Sequence, residues 1–177
     1  MLPHTFTSFP VLKTERLTLR KLSINDDIAI FALRSDKQVN KYLDRQPADT
    51  IEDARKFIDK ITEVVRQNES LYWAITMGDD DKLIGTICLF NFQAGEQIEI
   101  GYELLPAFQL QGIMQEALSK VIAYAFDVLK LKSIEAHTHL ENKSSTKLLE
   151  KHHFRKQENI NDDSNNIFVT YKLSAFE

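Results

Sequence analysis

The spacing of apolar positions along this chain changes several times, and each change marks an element. In Arg16-Leu17-Thr18-Leu19-Arg20 apolar and polar residues alternate, which puts Leu17 and Leu19 on one side of a half-buried strand. Ser23 with Asp26 three residues on predicts a capping box and a helix to about Ser35, with Ile28, Phe31 and Ala32 on one face. Thr50 with Asp53 repeats that start signal before Ala54, Phe57, Ile58, Ile61 and Val65, which recur at helical spacing. Three strands are predicted next, Leu71 to Met77, Lys82 to Phe92 and Gln97 to Leu105. Gly78-Asp79-Asp80-Asp81 and Gln93-Ala94-Gly95-Glu96 read as the turns between them, giving an antiparallel meander.

After Pro106 the period becomes helical again, with Ile113, Ala117, Leu118, Val121, Ile122, Ala125 and Leu129 on one stripe. Ser133 to His139 reads as a strand and Lys143 to His152 as a short helix capped by Asn142. Ile167 to Leu173 is a final strand, with Val169 and Tyr171 alternating against Phe168 and Thr170. Strand, two helices, three strands, helix, strand, helix, strand is the order of a layered α/β (α+β) domain with helices on both faces of a mixed sheet.

Length and composition narrow this further. At 177 residues the chain suits one domain, spanning 1–177, because a core of that size buries most of its apolar surface. A formal charge of −4 argues against a binder that works by neutralising phosphates, so no nucleic acid is expected as partner. The start of the chain lacks the basic and apolar regions of a secretory signal, and no window has the length of a membrane span, so no membrane partner is expected. The single cysteine, Cys88, permits no intrachain disulfide, and a reducing, cytoplasmic location is expected.

The stretch richest in chemistry runs from Glu99 to Ala117. A strand ends at Pro106, and a loop containing Gly112 leads directly into a helix. This arrangement aims the unpaired N–H groups of the first helical turn, and the positive end of its dipole, at whatever docks there. Such a site suits a pyrophosphate, and Gly112 lets it approach the backbone with no Cβ in the way.

Four separated motifs then carry a resemblance over nearly the whole chain. Thr14-Glu15-Arg16-Leu17-Thr18-Leu19-Arg20 resembles the T-E-R-L-x-L-R opening of the GNAT acetyltransferases of the RimJ/RimL (ribosomal-protein N-acetyltransferase) type. Ile98-Glu99-Ile100-Gly101-Tyr102-Glu103-Leu104 is similar to that family's central strand, and Gln109-x-x-Gly112-x-Met114 to its acetyl-CoA loop, Q/R-x-x-G-x-G/A, with Glu116-Ala117 continuing the likeness. Glu141-Asn142-Lys143-Ser144-Ser145 and Leu149-Glu150-Lys151-His152-His153-Phe154 resemble its E-N-x-x-S and L-E-K-x-G-F. The resemblance implies the GNAT fold, a mostly antiparallel sheet of six to seven strands flanked by about four helices. It also implies acetyl-CoA as co-substrate, no metal, and direct transfer of acetyl from thioester to amine.

On that resemblance, backbone amides from Gln111 through Gly112 and Ile113 to Met114, in the loop that Gln109 opens, cradle the pyrophosphate. Leu104 and Leu105 offer main-chain groups to the pantetheine arm, and Asn142 bonds it from the other side. A protonated amine has no lone pair, so a base is needed, directly or through water. Glu99 matches the family position for one, and Glu103, four residues on, shares its face; the alternative is that both belong to a solvated strand face. Ser145 matches the family serine that serves the departing thiolate, or it contributes only to the helix start. Tyr102 either reaches the cleft or packs.

Two residues depart from the family pattern. Met114 stands where glycine or alanine is commonest, and its side chain must point away from the phosphates or narrow the site. His153 replaces the glycine before Phe154, at a cost of roughly 1 kcal/mol if its backbone is left-handed. His137 and His139 share a strand face and His152 adjoins His153, but no carboxylate or cysteine at ligand spacing completes a metal set. Trp73 reads as core, with Phe92 and Trp73 as alternative acceptor-pocket walls, and Cys88 reads as core. The expected acceptor is a protein N-terminal amine, with polyamines, amino acids or aminoglycosides as alternatives and a non-catalytic acyl-CoA sensor as the rival class. Acceptor choice falls to Val39 to Gln67 and Glu158 to Asn166, and the chain is expected to act as a monomer or homodimer.

Overall fold

A computed structural model describes residues 8–92, 98–157 and 167–175. The strands are β1 (Leu12–Lys13), β2 (Leu17–Lys21), β3 (Leu71–Met77), β4 (Leu83–Phe90), β5 (Ile98–Leu104), β6 (Ser133–His139), β7 (Arg155–Lys156) and β8 (Phe168–Ser174). The helices are α1 (Asp27–Ser35), α2 (Lys37–Asn40), α3 (Ile51–Arg66), α4 (Ile113–Asp127) and α5 (Lys143–Lys151). One eight-stranded sheet runs β1-β2-β3-β4-β5-β6-β8-β7, antiparallel at every step except β5–β6, which is parallel. Among the described residues this matches the mostly antiparallel sheet flanked by helices that the resemblance implies, with eight strands where six to seven were expected and five helices where about four were. The additions are the two-residue β1 and β7 and the four-residue α2, which are too short to show a period.

Helices α4 and α5 cover one face of the sheet and α1 and α3 the other. Against α4 and α5 pack Leu17, Leu19, Trp73, Ile75, Ile87, Ile98, Ile100 and Ile134. Against α1 and α3 pack Leu22, Tyr72, Ala74 and Leu83, meeting Ile30, Leu33, Ala54 and Ile58. With helices on both sides, β3 is buried along Leu71–Thr76, which explains its unbroken apolar run. Between β3 and β4 the register shifts, Ile75 facing Gly85 and Thr76 facing Leu83, so Ile84 is an extra bulged residue.

Both capping boxes form: Ser23 with Asp26 opens a 3-10 turn that runs into α1, and Thr50 with Asp53 opens α3. The phase of α1 differs from expectation. Ile30 and Leu33 are buried while Ile28 is 70% exposed and Ala32 faces solvent. The run Ile28-Ala29-Ile30-Phe31-Ala32-Leu33 is apolar throughout, so its spacing alone left the buried stripe undetermined. The expected turn Gln93–Glu96 and the segment Glu158–Asn166 lie outside the described residues. Among those described, no helix is long and apolar enough to cross a membrane.

Trp73 and Phe92 belong to the core on the α4 side. Trp73 stacks edge-on with Phe9 and Tyr124, and its indole N–H donates to the Pro10 carbonyl at 2.8 Å. The left-handed backbone at His153 is present, with φ +66°. Its N–H donates to Glu150 and the Phe154 N–H to Leu149, the paired bonds of a Schellman stop that ends α5. His152 ties α5 to α4 through Ser119 Oγ at 3.0 Å. Among the described residues no group of three His, Cys, Asp or Glu side chains is placed to hold a metal.

Candidate active site

Among the described residues the parallel pair β5–β6 is joined by two register pairs, Ile98 with Ile134 and Glu99 with Glu135. Past them the strands run on without pairing each other. Each is held by its outer neighbour instead, β5 by six pairs to β4 and β6 by seven pairs to β8. The sheet therefore opens as a V whose apex is at Glu99, and backbone groups along its inner edges are left for another partner.

Helices α4 and α5 follow the open ends of β5 and β6, so both begin at the mouth of the V with the positive ends of their dipoles turned to it. Gly112, the residue before α4, has φ +75° and provides no side-chain cap, and the first intrahelical bond runs from Glu116 N–H to its carbonyl. The N–H groups of Ile113, Met114 and Gln115 precede that bond, which is the donor arrangement an anion needs. Met114 is 9% exposed and points into the core, so its size does not narrow the loop.

The loop is fixed from behind by an opening motif far away in sequence. Glu116 accepts from the Thr14 hydroxyl, from the Arg16 N–H at 3.0 Å and from Arg16 Nε at 2.7 Å. Arg16 Nη1 then donates to the Gln111 carbonyl at 3.1 Å. The Thr14-Glu15-Arg16 motif and Glu116 are both visible in the sequence but their pairing is not, since nothing local links residues about a hundred positions apart. A cleft of about 620 Å³ adjoins the loop, with Lys13, Arg16, Gly112 and Lys120 among its walls.

Asn142 caps α5, its side-chain oxygen accepting from Ser145 N–H at 3.2 Å. Ser145 Oγ lies 2.8 Å from the Tyr102 hydroxyl. Tyr102 packs against the core and bonds Ser145 across the opening. Burial pushes its phenol up to about 12, partly opposed by the bond to Ser145, so it is protonated at neutral pH and able to donate. The main-chain groups expected of Leu104 and Leu105 are engaged within the chain. Leu104 O accepts from Gln109 Nε2 at 2.9 Å, Leu105 N–H donates to Ile84, and Leu105 O accepts from Phe108. The Leu104 carbonyl keeps a second lone pair for an arm to use beside the Gln109 amide.

Glu99, Gly101 and Glu103 face the α1–α3 side, opposite to Tyr102 and Ser145. The two carboxylates sit differently there. Both oxygens of Glu103 are held by the Arg45 fork, at 2.7 and 2.6 Å, and Arg45 Nε donates to Asn40. Arg34 stands near that pair, over the Phe57 ring at 3.9 Å; burial pulls its pKa down and the Arg45 charge adds to this. Glu99 accepts from Asn91 Nδ2 on one oxygen and has His137 Nε2 3.5 Å from the other. Between the carboxylates Gly101 has no side chain, and Cys88 and Phe90 close over it: an added Cβ would come within 3.3 Å of Cys88 Sγ and 3.4 Å of the Phe90 ring. Cys88 donates to the Gly101 carbonyl, and desolvation, with the Glu103 charge, pushes its thiol up to about 12. It remains a thiol and is no nucleophile at neutral pH.

At the far end of this side, Tyr42, His139 and Phe168 stack with centroids 5.3 and 5.5 Å apart. Leu43, Leu140 and Ile167 beside them are 40, 39 and 52% exposed. The V thus separates a face lined with backbone donors from a face lined with carboxylates, and a group reaching through it meets both.

Comparisons with known proteins place the whole chain in one family. The family model for the acetyltransferase (GNAT) domain matches residues 16–155. The uncharacterized N-acetyltransferase YoaA of Bacillus subtilis is 35% identical over 150 residues, 84% of this chain and 85% of its own length. The uncharacterized N-acetyltransferase p20 of Bacillus licheniformis is 36% identical over 153 residues, 85% of each. In structure, the ribosomal L7/L12 alpha-N-protein acetyltransferase RimL in complex with coenzyme A aligns with TM-score 0.79 at 18% identity, covering 93% of this chain and 98% of that one.

Proposed function

Since the chain belongs to the GNAT acetyltransferase family and is an N-acetyltransferase, we propose that it moves acetyl from acetyl-coenzyme A onto the N-terminal amine of a polypeptide. The observation that carries this reading is the V between β5 and β6, with uncapped backbone donors on one face and Glu99 at its apex on the other.

In this proposal the N–H groups from Gln111 to Met114 hold the diphosphate, which α4 favours through its dipole. Asn142, whose oxygen is spent on the cap, offers its NH₂ to the arm. Glu99 draws in the acceptor ammonium and receives its proton, directly or through water, freeing the lone pair that attacks the thioester carbonyl. The Ser145 hydroxyl, backed by the protonated Tyr102, hydrogen-bonds the sulfur as negative charge develops on it. A polypeptide acceptor is favoured by the rim of Leu43, Leu140 and Ile167 around the Tyr42–His139–Phe168 stack, apolar surface that peptide side chains can cover. RimL, named for acting on a protein α-amine, shares the fold. We place the reaction in the cytoplasm, where the lone Cys88 stays reduced.

The test is thiol release from acetyl-CoA against tetrapeptides with free N-termini, the same peptides with blocked N-termini, and a panel of polyamines, amino acids and aminoglycosides. Turnover on the free peptides alone is expected. Turnover confined to small amines would replace the acceptor class. Heat protection by coenzyme A with no turnover on any acceptor would make the chain an acyl-CoA sensor.

A further inference from the structure

We propose that His137 is the proton-relay partner of Glu99, the place where the proton removed from the acceptor ammonium comes to rest before it leaves for solvent. This rests on the acetyltransferase reading above and extends it to a residue on a different strand.

The placement follows from the sheet. Glu99 and Glu135 are register partners across the parallel pair, so His137, two residues further along β6, lies on the same face and one step into the V. Its partner on β8 is Thr170, whose hydroxyl lies 2.9 Å from Nδ1. That contact fixes the ring with Nε2 toward Glu99 Oε2, 3.5 Å away. Exposure has a matching order, with the Glu99 side chain 23% exposed and His137 43% exposed, so the imidazole is the member of the pair more open to water.

The chemistry of the groups favours such a partner. An ordinary carboxylate titrates near 4.3 and an ordinary imidazole near 6.5, so an imidazole holds a proton about a hundredfold more firmly. A carboxylate alone is a weak destination for a proton from an α-ammonium, which titrates near 8. In the relay the ammonium N–H proton passes to Glu99 Oε2 and, as the 3.5 Å gap closes or one water bridges it, on to His137 Nε2, leaving carboxylate beside imidazolium. The freed amine lone pair forms the C–N bond, and the C–S bond breaks with its electron pair on sulfur. The nitrogen's remaining excess proton ends on that thiolate as free thiol, and the imidazolium returns its proton to water.

For Nε2 to accept, the neutral ring must carry its proton on Nδ1 and donate to Thr170 Oγ1, which a hydroxyl oxygen can accept. The other charged groups facing the ring are few. Glu135 of β6 is paired with Lys172 of β8 at 3.2 Å, His139 of β6 stacks between Tyr42 and Phe168, and Glu103 of β5 is neutralised by Arg45. Among the described residues Glu99 is therefore the carboxylate left to balance an imidazolium here.

The experiment measures kcat/KM against pH for the unaltered chain, H137Q, H137N, T170V and E99Q, using the peptide or amine that turns over in the panel above. Coenzyme A heat protection is measured alongside as a check on fold and cofactor site. H137Q and H137N should keep that protection, lose about 10- to 100-fold in kcat/KM at neutral pH, and lose the acidic limb of the profile; free imidazole should restore part of the rate. T170V should show a smaller loss. An unchanged profile in H137Q, with E99Q strongly impaired, overturns the relay and leaves Glu99 as base. Unchanged activity in E99Q overturns the relay together with Glu99 as base, and no turnover by the unaltered chain overturns the parent reading itself.

Discussion

Removing the Glu116 side chain tests whether the opening motif holds the anion loop. Glu116→Ala deletes the acceptor for the Thr14 hydroxyl, the Arg16 N–H and Arg16 Nε. A hydrogen bond to a charged group contributes about 1.5–3 kcal/mol when shielded. The Arg16 side chain is 42% exposed, so its ion pair is discounted to about 0–1 kcal/mol. The two remaining donors can partly rehydrate, which brings the expected loss to about 2–3 kcal/mol. For a chain of this length that lowers Tm by roughly 5–10 °C. Arg16, no longer anchored, should release the Gln111 carbonyl, so coenzyme A should bind about tenfold more weakly by calorimetry. Acid adds a second readout. Burial pushes the Glu116 carboxyl up, but the bonds from Thr14 and Arg16 outweigh this and hold it below the usual carboxylate range. Its contribution to stability is therefore complete above the unfolded value, about 4.3, and is lost as pH falls through the lower folded one. Below that window Glu116→Ala should match the unaltered chain more closely. A variant with undiminished Tm at pH 7 and full coenzyme A affinity would refute the claim that this network shapes the loop.

Other substitutions probe the remaining supports. Gly112→Ala puts a Cβ on a φ of +75° at a cost of about 1–2 kcal/mol, and since that Cβ meets only Arg16 Nη2 at 3.5 Å, the fold should survive while heat protection by coenzyme A shrinks. His153→Gly relieves the left-handed strain at the end of α5 and should raise Tm by about 2–4 °C with kcat unchanged. Arg45→Met leaves Glu103, 15% exposed, without its partner and should cost about 3–5 kcal/mol in denaturant unfolding, much of it recovered in the double variant Arg45→Met/Glu103→Leu. Tyr102→Phe should slow turnover with little change in coenzyme A affinity, and adding Ser145→Ala should cost less than the separate effects combined, because the two hydroxyls share one hydrogen bond.

What the chain's order of residues reveals is set by the range over which each signal acts. Capping boxes, the αL glycine before α4 and the Asn142 cap are complete within four residues, and they were readable as they stand. The strands with a period of two and the stripes of α3 and α4 were equally plain, whereas the all-apolar run in α1 gave no phase. The site is different, since its decisive contacts join segments through the sheet. Tyr102 meets Ser145 across 43 positions, Arg45 meets Glu103 across 58, and Thr14 meets Glu116 across 102. No local pattern reports these: the parallel pairing of β5 with β6 sets Tyr102 beside the start of α5, and the packing of other segments around the sheet brings Arg45 to Glu103 and Thr14 to Glu116. That pairing also accounts for the opening. Each of the two strands has its complete ladder on the outer side, so separating them beyond Glu99 leaves those outer ladders intact, and the few main-chain groups left open lie where two helix N-termini converge. In the proposed reaction, the same parting that would expose backbone to a thioester arm sets the Glu99 carboxylate at the apex, where the amine would arrive.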